Sequence, residues 1–238
     1  MNAAMLTIKL LTAVILAVLL GNGSVVLFNR LPQAWFADWD KVIPPKLVEA
    51  DEQGRQRIPS TPWKYAFTGL LGICGVYLSI TAGLQYEIAV LIAITIILEM
   101  AIADELYRIV PDQLQLALAA CSVGFINYND NWWEPLAGAG IGLAFSLAVY
   151  GLGAILFHSG SIGGADMKFY ICIGFVTGRM GVAIIFVLTT LLFAVYSLVK
   201  IAAGRSSLKS SEAMLPSACA ASIIYLVFLY NITGELIL

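Results

Sequence analysis

Charge is what this sequence holds least of. Only 12% of its residues are Asp, Glu, Lys or Arg, against 60% hydrophobic. Soluble domains carry about twice that share of charge and roughly half apolar residues, so a soluble globular chain is excluded. A net charge of -2, with no basic patch interleaved with aromatics, gives no footing for a nucleic-acid partner. Histidine occurs once, at His158. No Gly-x-Ser-x-Gly motif or cysteine partner accompanies it, which argues against a serine or cysteine hydrolase, and it reads as a structural or interfacial residue. The four cysteines, Cys74, Cys121, Cys172 and Cys219, lie in or beside apolar runs without Cys-x-x-Cys spacing. They read as small buried hydrophobes rather than as disulfides or zinc ligands. Metal-ligand clusters and internal repeats are also lacking.

Long apolar runs are what the chain has. The first covers about residues 5–28. No Lys or Arg precedes it and Lys9 lies inside it, unlike a signal peptide. It is long enough to span a bilayer and reads as a retained helix. Further runs fall near 64–83, 86–103, 112–127, 135–157, 166–178, 181–202 and 214–233. The expected fold is therefore all-α, a polytopic membrane helical bundle of about eight transmembrane helices in a lipid bilayer. The number drops to six or seven if the short 166–178 run is re-entrant. The chain divides into a first transmembrane helix (1–28), a polar loop (29–63) and a transmembrane core (64–238). The loop carries Pro32, Pro44, Pro45, Pro59 and Pro62, with Trp35, Phe36 and Trp39 suited to a headgroup interface. It reads first as a connector and second as a lid or substrate-contact surface. Trp132 and Trp133 read as interfacial anchors. The Asn231-Ile232-Thr233 sequon is short enough to arise by chance.

With the N-terminus outside, eleven of the thirteen Lys and Arg residues fall on one side, leaving Lys9 and Arg179 on the other. The positive-inside rule makes that side cytoplasmic.

Against this background two aspartates stand out. Asp166 follows the small, flexible run Ser159–Ala165 at the mouth of an apolar segment, with Lys168 two residues on. Asp at such a place reads either as a helix cap or as a functional membrane carboxylate. Asp104 ends the third apolar run. Two crossings separate it from Asp166, so both belong at the same face. Two carboxyl groups a few ångströms apart cannot both ionise easily and share a proton. The ionised member can take a proton from water while the protonated member polarises a carbonyl, hydrolysing an amide without a covalent intermediate. Glu99, inside the third run, reads either as a functional acid or as a hydrogen-bonding partner across the bundle. Glu105 and Asp112 read as interfacial, with Pro111-Asp112 opening a helix.

These residues resemble the type IV prepilin peptidases, membrane aspartyl proteases of the Gly-x-Gly-Asp kind. Asp104, six residues, then Pro111-Asp112 matches the family's first site. Gly163-Gly164-Ala165-Asp166-Met167-Lys168 with Gly174 matches the second, except that Ala165 replaces a glycine. If that position needed φ > 0, Ala165 would be strained. Gly21–Pro32 resembles the family's first-helix end, and Met214-Leu215-Pro216-Ser217 its proline-bearing start of the last helix. The resemblance implies Asp104 and Asp166 as the catalytic pair, with Gly163, Gly164, Ala165, Lys168, Pro111, Asp112 and Glu99 in support. Lys168 either steadies Asp166 or snorkels to the headgroups. The implied substrates are pilin-like precursors with a short basic leader and an apolar helix, cut after a leader glycine at the cytoplasmic face of a bacterial inner membrane. Proteolysis would need no cofactor. Bifunctional members carry cysteine pairs in the first loop, and residues 29–63 hold no cysteine. Zinc is not expected there, and N-methylation, which would need S-adenosylmethionine, is left open. Two other readings compete. A proton-coupled transporter would use Glu99, Asp104 and Asp166 as a relay, but internal repeats and midplane acids are lacking. A presenilin-type protease would need Tyr-Asp and Pro-Ala-Leu motifs that the chain does not carry.

Overall fold

The computed structural model describes residues 3–37, 42–129, 131–157, 163–204 and 212–230. Every regular element within them is helical, as the composition requires. The helices are α1 (Ala3–Arg30), α2 (Pro45–Glu52), α3 (Ser60–Thr81), α4 (Leu84–Tyr107), α5 (Asp112–Ala120), α6 (Glu134–Phe157), α7 (Gly164–Ala202) and α8 (Leu215–Ile224). Short 3-10 turns cover Gln33–Phe36 and Cys121–Tyr128, and a π turn at Tyr225–Leu229 extends α8. Five helices, α1, α3, α4, α6 and α7, are long and apolar enough to cross a membrane. An all-α membrane bundle is thus the fold.

Helix α7 is nominally continuous, yet it doubles back on itself. Tyr170 and Phe186 would stand about 24 Å apart on a straight helix at 1.5 Å per residue. Their ring centroids are 5.0 Å apart. The reversal occurs at Gly178, whose φ of 67° and ψ of -170° break the helix. A side chain is strained at that φ, which explains glycine there. The apolar stretch therefore makes two passes, close to the separate 166–178 and 181–202 segments read from the sequence. Helix α6 lies against both arms. An added Cβ at Gly138 would sit 2.2 Å from the Gly174 carbonyl, and one at Gly142 would sit 2.2 Å from that of Tyr170. Only glycines let these backbones approach so closely, as is usual for helices packed in lipid.

Other boundaries shift by a few residues for local reasons. Helix α4 continues past Asp104 to Tyr107 and ends where Arg108 turns left-handed (φ 57°). The run at 112–127 is half α-helix and half 3-10 turn. Because a 3-10 turn rises about 2 Å per residue, these few residues reach farther than an α-helix of equal length.

The polar loop is more than a connector. Its Phe36, Leu47 and Ile58 are buried in the main core. The Arg57 guanidinium donates to both Asp51 oxygens and to the carbonyls of Phe28 and Leu31, tying the loop to the end of α1. Asn29 donates to the Ile58 carbonyl and accepts from the Ile58 N–H. Phe36 corrects the interfacial reading. It packs edge-on against Phe28 and against Tyr107, only three residues past Asp104. Trp35 is partly buried. Trp39, His158 and the sequon lie outside the described residues.

Contacts define two ends. One joins the polar loop, the end of α4, and the starts of α5, α7 and α8. The other joins the α3–α4 turn, residues 124–129 and 131–134, Gly178 and the end of α8. At this second end Glu134 pairs with Arg179 at 3.0 Å, Tyr86 O–H donates to the Leu226 carbonyl, and Tyr86, Tyr128 and Tyr230 form one aromatic cluster. Arg179 also lies over the Trp133 ring, and Trp132 is exposed. All four cysteines are free thiols, and three are buried.

Candidate active site

Asp104 sits one turn before the end of α4, ahead of the turn that leads to Pro111. Its Oδ2 accepts the Leu215 N–H at 3.1 Å. That N–H belongs to the first turn of α8, where backbone donors lack intrahelical partners and the helix dipole favours an anion. Met214-Leu215-Pro216 is thereby explained: Pro216 stands in the first turn, where a missing N–H costs nothing. Asp104 is half-buried, so it is held by protein while open to water.

Asp166 lies in the first turn of α7 at the same end. Its Oδ2 accepts the Gly163 N–H at 3.3 Å, so the capping reading is correct as far as it goes. The Asp104 carboxylate also lies within electrostatic reach of Asp166. Capping and proximity to a second acid coexist in one side chain. A Cβ at position 163 would come within 3.2 Å of the Asp166 carboxylate, whereas Gly164 has open space around it. Ala165 is helical, and Arg108 is the only described non-glycine with positive φ. The expected strain at Ala165 is absent, because that position asks for helix and not for a left-handed turn.

Lys168 donates to both oxygens of Asp112, at 2.7 and 2.9 Å. The pair links the two motifs directly and fixes the start of α5 against α7. Asp112 opens α5 as its first residue, after buried Pro111. Its partner is this lysine rather than the helix N-terminus. Both side chains are substantially exposed, so the pair contributes little to stability.

Glu99 is buried, and its Oε1 has no partner. That oxygen makes no hydrogen bond across the bundle, and the residue lies more than a turn before Asp104. Sequence reading missed Gln115 and Glu212. Gln115 is buried one turn after Asp112, and its Nε2 makes a long 3.4 Å bond to the Ala165 carbonyl. An i, i+3 spacing from Asp112 was the available signal. Glu212, beside a segment rich in Ser and Lys, had no such signal. Among the described residues, no group of three or more His, Cys, Asp or Glu is arranged to hold a metal ion.

This pair of half-buried aspartates, one at the end of one helix and one at the start of another, spans a stretch with known relatives. Residues 89–198 match the type IV leader peptidase family. Both aspartate motifs fall inside that match, so the family likeness read from the sequence holds over the segment that carries them. The chain is also 30% identical over 159 residues to a prepilin leader peptidase/N-methyltransferase of Bacillus subtilis (strain 168). That alignment takes in 63% of this chain and 60% of the relative, so the chain spans about three fifths of that protein's length. No solved structure matches it.

Proposed function

We propose that the protein is a prepilin leader peptidase using Asp104 and Asp166 as a proton-sharing pair. The observation that carries this reading is that the two carboxyls, from helices far apart in sequence, lie within electrostatic reach of each other at one end of the bundle, inside the family-matched segment. Asp104, hydrogen-bonded at the start of α8, is suited to hold the negative charge. It takes a proton from water, whose oxygen adds to the scissile carbonyl carbon. Asp166 carries the shared proton and gives it to the carbonyl oxygen. Collapse of the tetrahedral intermediate breaks the C–N bond, with the proton taken from water passing to the leaving amine. No covalent intermediate and no metal is needed for these steps.

The substrates on this reading are pilin-like precursors whose apolar helix lies in the bilayer and whose basic leader meets the site end. Arg30, Arg55, Arg57, Lys64, Arg108, Lys168 and Lys200 gather toward that end. This supports a cytoplasmic orientation in a bacterial inner membrane. On this reading Gly163, Gly164, Ala165, Lys168, Pro111, Asp112 and Glu99 are the supporting residues around the pair.

The test is co-expression with a pilin-like precursor and mass spectrometry of its N-terminus. Asp104→Asn and Asp166→Asn should each abolish cleavage while the protein still accumulates in the membrane. Normal processing by either variant overturns the proposal. The same spectrum reads methyl transfer from S-adenosylmethionine as a gain of one methyl group on the new terminus.

A further inference from the structure

We infer that Glu212 is a positioning residue for Asp104. The Asp104 carboxylate depends on a donor from another helix, the Leu215 N–H. That donor is only as well placed as the start of α8, which follows a connection from α7. Glu212 stands three residues before Leu215, in the last described stretch of that connection. Its Oε2 accepts from Lys200 Nζ at 2.7 Å and lies 3.8 Å from Arg108 Nη2. Lys200 belongs to the end of α7, and Arg108 is the left-handed residue that closes α4, four residues after Asp104.

One carboxylate thus draws together the end of the helix bearing Asp104, the end of the helical hairpin bearing Asp166, and the approach to α8. Its side chain is only 12% exposed, against 46% for Arg108. Water therefore screens it less than a surface pair, and losing it leaves two cations without their shared anion. Lys200 is further held over the Tyr196 ring at 4.5 Å, which gives Glu212 a fixed anchor on the α7 side. On the other side Arg108 is free to lean toward it because α4 has already ended. The geometry lets Glu212 fix the distance between α4 and α8, and hence the Leu215 N–H against Asp104, without reaching the reacting atoms.

The inference rests on the peptidase reading for its kinetic consequence but not for its geometry, so two measurements are paired. First, in a chain with its four native cysteines replaced by alanine, Asp104→Cys and Leu215→Cys are cross-linked with a short thiol reagent in native membranes. Adding Glu212→Ala should slow cross-linking at least threefold, and an unchanged rate overturns the inference. Second, in the wild-type background, Glu212→Ala should lower kcat for precursor cleavage by roughly ten- to a hundredfold, with KM within about twofold, as expected for a misplaced catalytic group. Arg108→Ala should do the same, and the double variant should be no worse than either single one, since both act through one link. Additive losses, or a drop in thermal stability with unchanged kcat, would assign Glu212 a merely structural role. If the wild type cleaves no precursor, the peptidase reading fails while the cross-linking result still decides the positioning.

Discussion

Around Asp104 and Asp166 the carboxylates take backbone N–H donors at the starts of α8 and α7, and the neighbouring Lys168–Asp112 pair is exposed. At the opposite end polar side chains are locked in. Glu134 takes Arg179 through several bonds and sits against the Gly178 reversal. Lys9, buried in α1, donates to the Ser79 and Ala82 carbonyls at the end of α3. Ser79 in turn donates to buried Glu87 of α4. The locked end holds three helices and a hairpin in register. The other end leaves its carboxylates half-open to water. The half-buried aspartates and the Glu134–Arg179 lock thus sit at opposite ends of the bundle.

Substitutions can break this arrangement at either end. The largest effect should come from the site: Asp104→Asn or Asp166→Asn should lower cleavage by at least about a hundredfold, the range of a lost acid or base. Melting temperature in detergent should not fall. Next is the hairpin crossing. Gly174→Leu forces a side chain into the Gly138 backbone and should cost about 1–3 kcal/mol or prevent folding, read as a lower melting temperature with kcat preserved in what folds. Glu134→Ala should cost about 1–2 kcal/mol, less than a fully buried pair because Arg179 is half exposed, again with kcat unchanged. Asp112→Asn should cost less than about 1 kcal/mol but lower kcat a few-fold by loosening α5 from α7.

The smallest effect sharpens the comparison through the polar loop. The Arg57 guanidinium hydrogen-bonded to Asp51 holds that carboxyl below the usual carboxylate range, against the opposing effect of burial and with help from Gln33. A lowered native pKa adds stability that is complete above the unfolded value and is lost as pH falls through the native one. Hydrogen exchange at residues 45–58, corrected for intrinsic rates, should therefore quicken between pH 5 and pH 3. The same change should be absent in Asp51→Asn.

Much of this was legible in the sequence because membrane helices announce themselves by length and apolarity. The parity of crossings between Asp104 and Asp166 needed only segment counting, and both do lie at one end. The hairpin in α7 was readable as two runs because Gly178 interrupts them. What the sequence did not carry were pairings across distance. Lys168 meeting Asp112, Leu215 N–H meeting Asp104, and Lys9 capping α3 depend on helix rotation and depth, which apolar composition leaves undetermined. Glu87 escaped notice altogether, since one acid near a helix start looks like an ordinary first-turn carboxylate. Phe36 misled in a similar way: an aromatic in a polar loop suits a headgroup, unless the loop folds back into the core as this one does.

The reversal at Gly178 makes the arm from there to Asp166 a short lever with its pivot at the locked end. That arm is about 18 Å long at helical rise, so a tilt of about 10° at the pivot carries the tip through about 3 Å. The close backbone contacts of Gly138 and Gly142 in α6 with Gly174 and Tyr170 hold that arm in place.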